Sequence, residues 1–180
     1  PSFNLTDEEW NAIIKAFQHW DDNLIAFESD FHVDQSTTHF KAGKKLHELG
    51  ACNNCHFYGT TFPKQDAQTW APNMALTKER LQSDWVIDWL RDPQEIMPGT
   101  KMPSPYIPNT EILELPGAAS DWGKYIISIG GDREIMLEGL RDYVYSIPGK
   151  TDITTEIQNY FNKNGYNFEI DEEEDEDEDW

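Results

Sequence analysis

The 180-residue sequence predicts an all-α body with long loops. Three observations carry that expectation. Apolar residues recur at helical spacing in several segments, with capping residues ahead of them. No segment shows the sustained alternation of a half-buried strand. Six of the ten prolines fall between positions 93 and 117, which reads as one extended loop. The body reads as helices and loops wrapped around something that completes its core.

Residues 6–21 read as the first helix. Thr6 and Glu9 form a T-x-x-E capping box, and Trp10, Ile13, Ile14, Phe17 and Trp20 recur at helical spacing. Residues 22–36 are irregular and acidic, with Phe27 and Phe31 as anchors. Residues 37–49 read as a second helix, with Phe40, Gly43 and His47 on one face and Leu46 nearby. A glycine inside a helix costs about 1 kcal/mol relative to alanine. A close helix crossing explains Gly43; flexibility is the alternative. Residues 57–76, with Gly59, Pro63 and Pro72, read as loop. Thr77 is expected to cap a helix to Arg91, with Leu81, Trp85, Trp89 and Leu90 as its apolar stripe, ending before Pro93. Residues 121–130 suit a short helix. Asp132–Ile147 suit a longer one, stopped by Pro148-Gly149, and 151–164 one more.

The formal charge is −20, from 34 acidic and 14 basic side chains. Ten of the acids lie in 169–179, a low-complexity run of the kind that remains disordered. The remainder still carries about −10, so the acidity is not confined to the tail. This balance argues against binding nucleic acid or anionic lipid through charge, and favours a partner with a basic docking surface. No run of 18 apolar residues occurs, so no membrane span is expected.

The only two cysteines lie in Cys52-Asn53-Asn54-Cys55-His56, a C-x-x-C-H motif. This spacing reads as a c-type haem attachment site. Each thiol can bond one vinyl-derived carbon of a single porphyrin, and His56 then lies under the iron to give it an imidazole nitrogen. A structural zinc ion usually needs four protein ligands, and the motif supplies three at most. A redox C-x-x-C usually sits in a βαβ unit, whereas the stretch before Cys52 looks helical. The cofactor expected is therefore one covalent haem c. Attachment of this kind normally takes place outside the cytoplasm. No signal peptide is present, so the chain reads as a mature product or a piece of a larger protein.

An iron that only transfers electrons needs a second strong axial ligand. Met102 lies in Pro98-Gly99-Thr100-Lys101-Met102-Pro103, where flanking prolines stiffen the loop. It is favoured over Met97 in the same loop. Met74 and Met136 are better explained by packing. Among the other histidines, His47 is the one to watch, because it shares a face with Phe40.

With these residues in view, the chain resembles class I c-type cytochromes from about Phe40 to Ile147. The match includes the glycine-bearing helix, C-x-x-C-H, Ala71-Pro72-Asn73, R-L-x-x-x-W-x-x-x-W-L from Arg80 to Leu90, the P-G-T-x-M-P loop, and L-R-D-Y-V from Leu140 to Val144. The resemblance implies the class I cytochrome c fold. It implies thioethers on Cys52 and Cys55 and axial bonds from His56 and Met102. It also implies a Pro72 carbonyl that orients the His56 ring, and a contact of Trp85 or Trp89 with a haem propionate, unless both are plain core. Gly43 and Phe40 would meet Tyr143 where the first and last helices of the domain cross. His47 departs from the pattern, which usually has an aromatic there, and residues around 111–131 and after Pro148 are extra. The implied division is an N-terminal helix and linker at 1–36, a haem domain at 37–148, and a C-terminal extension at 149–180. Pro1-Ser2-Phe3 followed by a helix looks like Pro103-Ser104-Pro105, just past the axial methionine. Residues 1–21 thus read either as the tail of a preceding haem domain in a tandem di-haem protein or as a simple N-terminal helix.

The functional expectation is an electron carrier without catalytic residues, serving a respiratory or photosynthetic chain outside the cytoplasm, in the periplasm or its equivalent. The alternatives are a haem subunit of a larger oxidoreductase complex and a gas-binding or catalytic haem with a labile sixth ligand.

Overall fold

The computed structural model describes residues 5–20 and 31–165, except the side chains of Gln18 and Trp20. Phe27, Pro1-Ser2-Phe3 and the acidic run at 169–179 lie outside the described residues. The described residues form helices without any strand; only the isolated bridges His56–Ala71 and Tyr58–Thr61 occur. None of these helices is long and apolar enough to cross a membrane. The chain divides into two compact units, Pro1–His32 and Val33–Trp180.

The first unit holds helix α1, Asp7–Trp20. Thr6 and Glu9 close the expected capping box. The Glu9 amide donates to Thr6 Oγ1 at 3.3 Å, and the Thr6 amide donates to Glu9 Oε2 at 2.8 Å. The bond from Thr6 lowers the pKa of Glu9, because it favours the charged carboxylate. Trp10, Ile13, Ile14 and Phe17 are exposed.

The second unit is built on two crossed helices, α2 (Thr38–Leu49) and the later α9 (Arg133–Tyr145). Thr37 caps α2 by accepting the Phe40 amide at 3.2 Å, and Asp132 caps α9 by accepting the amides of Glu134 and Ile135, both at 3.1 Å. Where the two helices cross, backbone meets backbone. A Cβ on Gly43 would lie 1.9 Å from the Gly139 carbonyl oxygen, and a Cβ on Gly139 would lie 2.1 Å from that of His39. Gly43 therefore serves contact, as the crossing hypothesis requires. Phe40 meets the Tyr143 ring edge-on at 5.9 Å between centroids. One residue earlier on each helix, the buried Asp142 accepts from His39 Nε2 at 3.0 Å and from its neighbour Arg141 Nε at 2.7 Å, so a paired carboxylate sits inside the same junction.

Between them the chain departs from the expected elements in three places. The single helix expected from Thr77 to Arg91 is two: a turn α3 (Thr77–Arg80) and α4 (Ser83–Arg91), separated by extended backbone at Leu81 and Gln82. The break has an anchor, because the Tyr145 hydroxyl of α9 donates to the Leu81 carbonyl. Thr77 is consequently no cap; its turn follows a 3-10 turn, Met74–Leu76, which Asn73 caps instead. The loop expected after Asp92 begins with α5 (Pro93–Ile96), where proline occupies the first turn and Asp92 accepts the Gln94 and Glu95 amides. It contains a second turn, α6 (Thr110–Leu113). The short helix near 121–130 is broken into α7 (Ala118–Trp122) and α8 (Lys124–Ile129) by Gly123 at φ 80°. Helix α10 (Thr154–Lys163) closes the described chain. Val86 and Leu90 from α4, Ile126 from α8, and Met136, Leu137 and Leu140 from α9 are buried with Leu46 of α2.

Gly43→Ala tests the crossing. Helix propensity alone favours alanine by about 1 kcal/mol, but a methyl group forced into the facing backbone is expected to cost about 3 kcal/mol net. Urea denaturation at fixed pH reads the difference, and a stabilised variant would contradict the crossing.

Candidate functional site

Helix α2 delivers the C-x-x-C-H motif. Gly50 ends it by donating its amide to the Leu46 carbonyl at 2.8 Å, and Ala51 turns the chain at φ 50°, a left-handed conformation rare outside glycine. Cys52–Asn54 then form a 3-10 turn. The His56 amide donates to the Cys52 carbonyl at 3.0 Å, so the first thiol and the imidazole are carried on one turn. The following loop holds this turn from outside. Lys64 and Gln65 amides donate to the carbonyls of Asn53 and Asn54 at 3.1 and 3.0 Å, and the Ala71 amide donates to that of Cys55 at 2.8 Å.

The His56 ring is fixed by a bond from Nδ1–H to the Pro72 carbonyl at 2.8 Å. A carbonyl only accepts, so the proton is on Nδ1 and Nε2 keeps its lone pair. Burial lowers the His56 pKa, against the opposing pull of that bond, and so favours the neutral ring. Both cysteines are free thiols. Burial pushes Cys52 up to about 11, which suppresses the thiolate that a redox dithiol needs. Among the described residues no three His, Cys, Asp or Glu side chains converge as a metal-ion ligand set. The donors present, two neighbouring thiols and a neutral imidazole with a bare nitrogen, fit a covalently held haem better than either rival.

His47, the other histidine singled out, is buried in α2. Its ring packs against Tyr143 at 4.8 Å and Tyr58 at 5.5 Å between centroids. Tyr58 Oη and His47 Nε2 are 2.5 Å apart. Burial, then the neighbouring His56, lowers the His47 pKa to about 4. The same burial raises the Tyr58 and Tyr143 hydroxyls.

Met102 is held from three sides. Its amide donates to Thr100 Oγ1 at 3.3 Å. Gln94 closes the P-G-T turn, accepting the Gly99 amide at 3.1 Å and donating to the Thr100 carbonyl. Trp89 Nε1–H donates to Met102 Sδ at 2.9 Å. That is a different role from the propionate contact implied by resemblance. Trp85 stacks on Trp89 with ring planes 14° apart and is 37% exposed. Met97 is 58% exposed, while Met74 and Met136 are buried in the core. Lys101 joins this loop to the loop after the motif through the Gln68 carbonyl at 3.2 Å.

Sequence reasoning set aside everything past Pro148 as extra, yet this part buttresses the loop that carries Pro72. Asn73 accepts the Gly59 amide at 3.0 Å and donates to the Lys150 carbonyl at 3.0 Å. Tyr160 of α10 stacks on Phe62 at 5.2 Å and meets Trp70 at 4.9 Å, and Trp70 in turn meets Phe57. Tyr160 and Phe161 next to each other were the available signal. Gln94 had none beyond its place before the P-G-T turn.

A pH dependence follows from His47. Its folded pKa is below its ordinary 6.5, so the unfolded chain binds the extra proton between about pH 6.5 and 4. Stability falls as pH falls through that window, by up to about 3 kcal/mol. His47→Phe is expected to remove that part of the slope. Urea midpoints at pH 7 and 4.5 check it, and parallel slopes in the two proteins would refute the assignment.

No protein-family model matches the chain. Cytochrome c oxidase subunit 2 of Bacillus subtilis (strain 168) is 30% identical to it over a 115-residue alignment that covers 59% of this chain and 31% of that protein. The chain therefore spans about a third of the length of the curated relative that it matches.

Proposed function

We propose that this chain is a class I cytochrome c-type electron carrier holding one haem c, working as a domain or subunit of an oxidase-type complex on the extracytoplasmic side of a membrane. The observation that carries the reading is the His56 ring, locked by Pro72 with Nε2 bare, one turn after Cys52. The thioether of Met102 on its braced loop supports it. The similarity to a cytochrome c oxidase subunit supports placement in a larger assembly.

Haem iron, when bound, supplies a one-electron ferric–ferrous couple. The chain's residues hold and tune it. Cys52 and Cys55 would hold it through thioethers, and His56 and Met102 would ligate its iron. The Pro72 carbonyl makes the imidazole a better donor by accepting its N–H. Trp89 orients the Met102 sulfur and draws density from it. No side chain transfers a proton or attacks a substrate in this reading. Acidic side chains on the surface steer a redox partner with a basic face.

The test is the absorption spectrum of protein matured in a host competent for haem attachment, with a pyridine haemochrome assay. Haem c with the weak long-wavelength band of ferric thioether ligation is expected, lost in Met102→Ala and kept in Met97→Ala. Haem c that lacks the band and binds carbon monoxide rapidly would mean an open sixth position. Protein without haem would sink the reading. Trp89→Phe removes one hydrogen bond worth about 1 kcal/mol, equivalent to about 40 mV for one electron. A fall of that order in the reduction potential is expected, because the lost N–H dipole favoured the less positive iron. An unchanged potential in redox titration would contradict the role of Trp89.

A further inference from the structure

This acidic chain carries a concentrated basic feature among its described residues. A groove of about 290 Å³ runs between α2 and the α7–α8 corner, lined by Lys41, Lys44, Lys45 and Lys124 together with the rings of Trp122 and Tyr125. These are four of the chain's fourteen lysines and arginines. The single acid in the lining is Glu48, 3.9 Å from Lys45, so the groove is net positive by three charges, four minus one. The Lys41 and Lys124 ammonium groups lie over the Tyr125 ring, 5.5 and 4.9 Å from its centroid, and Lys44 and Lys124 are exposed. Two basic residues elsewhere are paired with acids. Lys150 meets Glu156 at 2.9 Å, and Arg91 bridges Asp88 and Glu134.

We propose that this groove is a docking site for an acidic peptide segment, and that its occupant is the chain's own run at 169–179. The run places ten carboxylates in eleven positions and Trp180 beside them, a match for lysines interleaved with aromatic rings. Reach does not limit the pairing. The fifteen residues after Gly165 span up to about 50 Å when extended, whereas a domain of this size is roughly 36 Å across. Tethering gives the run an effective concentration in the millimolar range, enough to favour it over an acidic competitor in solution. The proposal does not rest on the haem reading, since none of its residues belongs to the motif or the Met102 loop.

Zero-length carbodiimide coupling of the full-length protein, followed by peptide mass spectrometry, tests it. At low salt, carboxylates of 169–179 are expected to form amides within the same chain with Lys41, Lys44, Lys45 and Lys124. The yield should fall about tenfold in 0.5 M sodium chloride and by a similar factor at Lys41 and Lys45 in the double variant Lys44→Glu, Lys124→Glu, checked for fold by circular dichroism. Coupling spread evenly over all lysines, or concentrated at Lys150 and Lys163, would overturn the assignment. So would tail links that appear only in cross-linked dimers, or that are indifferent to salt.

Discussion

The contact between the Gly43 and Gly139 backbones is the constraint on which the second unit depends. Two helices can approach this closely only where neither carries a side chain. The approach fixes the rotation of both. On α2 it turns Phe40 and His47 toward α9 and leaves the C-terminal end to run directly into Cys52. On α9 it places Asp142 against His39 and carries Tyr145 to the Leu81 carbonyl, where the chain breaks before α4. Helix α4 in turn aims Trp89 at Met102. One steric permission thus reaches both ends of the candidate site.

Both halves of that site use one device: a polar group is oriented by a backbone or indole partner so that its remaining lone pair is left over. For His56 the partner is a carbonyl, and the nitrogen left is a strong neutral donor. For Met102 the partner is an N–H, and the sulfur has a second lone pair to offer. Burial acts in the same direction on the imidazoles: it keeps them neutral, so no proton competes with an ion for the bare nitrogen.

Much of this was legible in the sequence because it is written locally. The capping box at Thr6, the proline stop after Asp92, the C-x-x-C-H spacing and the glycine in α2 each act over a few residues. The His56–Pro72 bond was anticipated through resemblance, not through spacing. What escaped notice was set by long-range partners. The break at Leu81 needs a hydroxyl 64 residues away. The role of the extension after Pro148 needs Asn73, whose bond to Lys150 spans 77 residues. Periodicity shows that Trp89 faces inward, but only the fold shows which atom its N–H meets.

The pairing of His39 with Asp142 bridges 103 positions, which gives the junction of α2 and α9 a kinetic consequence. Contacts so distant in sequence close late, because a long loop must be ordered before they repay its entropy. Until then the motif has no cover. Cys52 recovers an ordinary thiol acidity, and two thiols three positions apart can be joined as a disulfide by any thiol oxidant in the surroundings. In the folded chain partial burial keeps the Cys52 thiol protonated; the nascent chain has no such restraint. The period before α9 arrives is therefore both the interval in which the thiols are open to chemistry and the interval in which they are most easily lost to it.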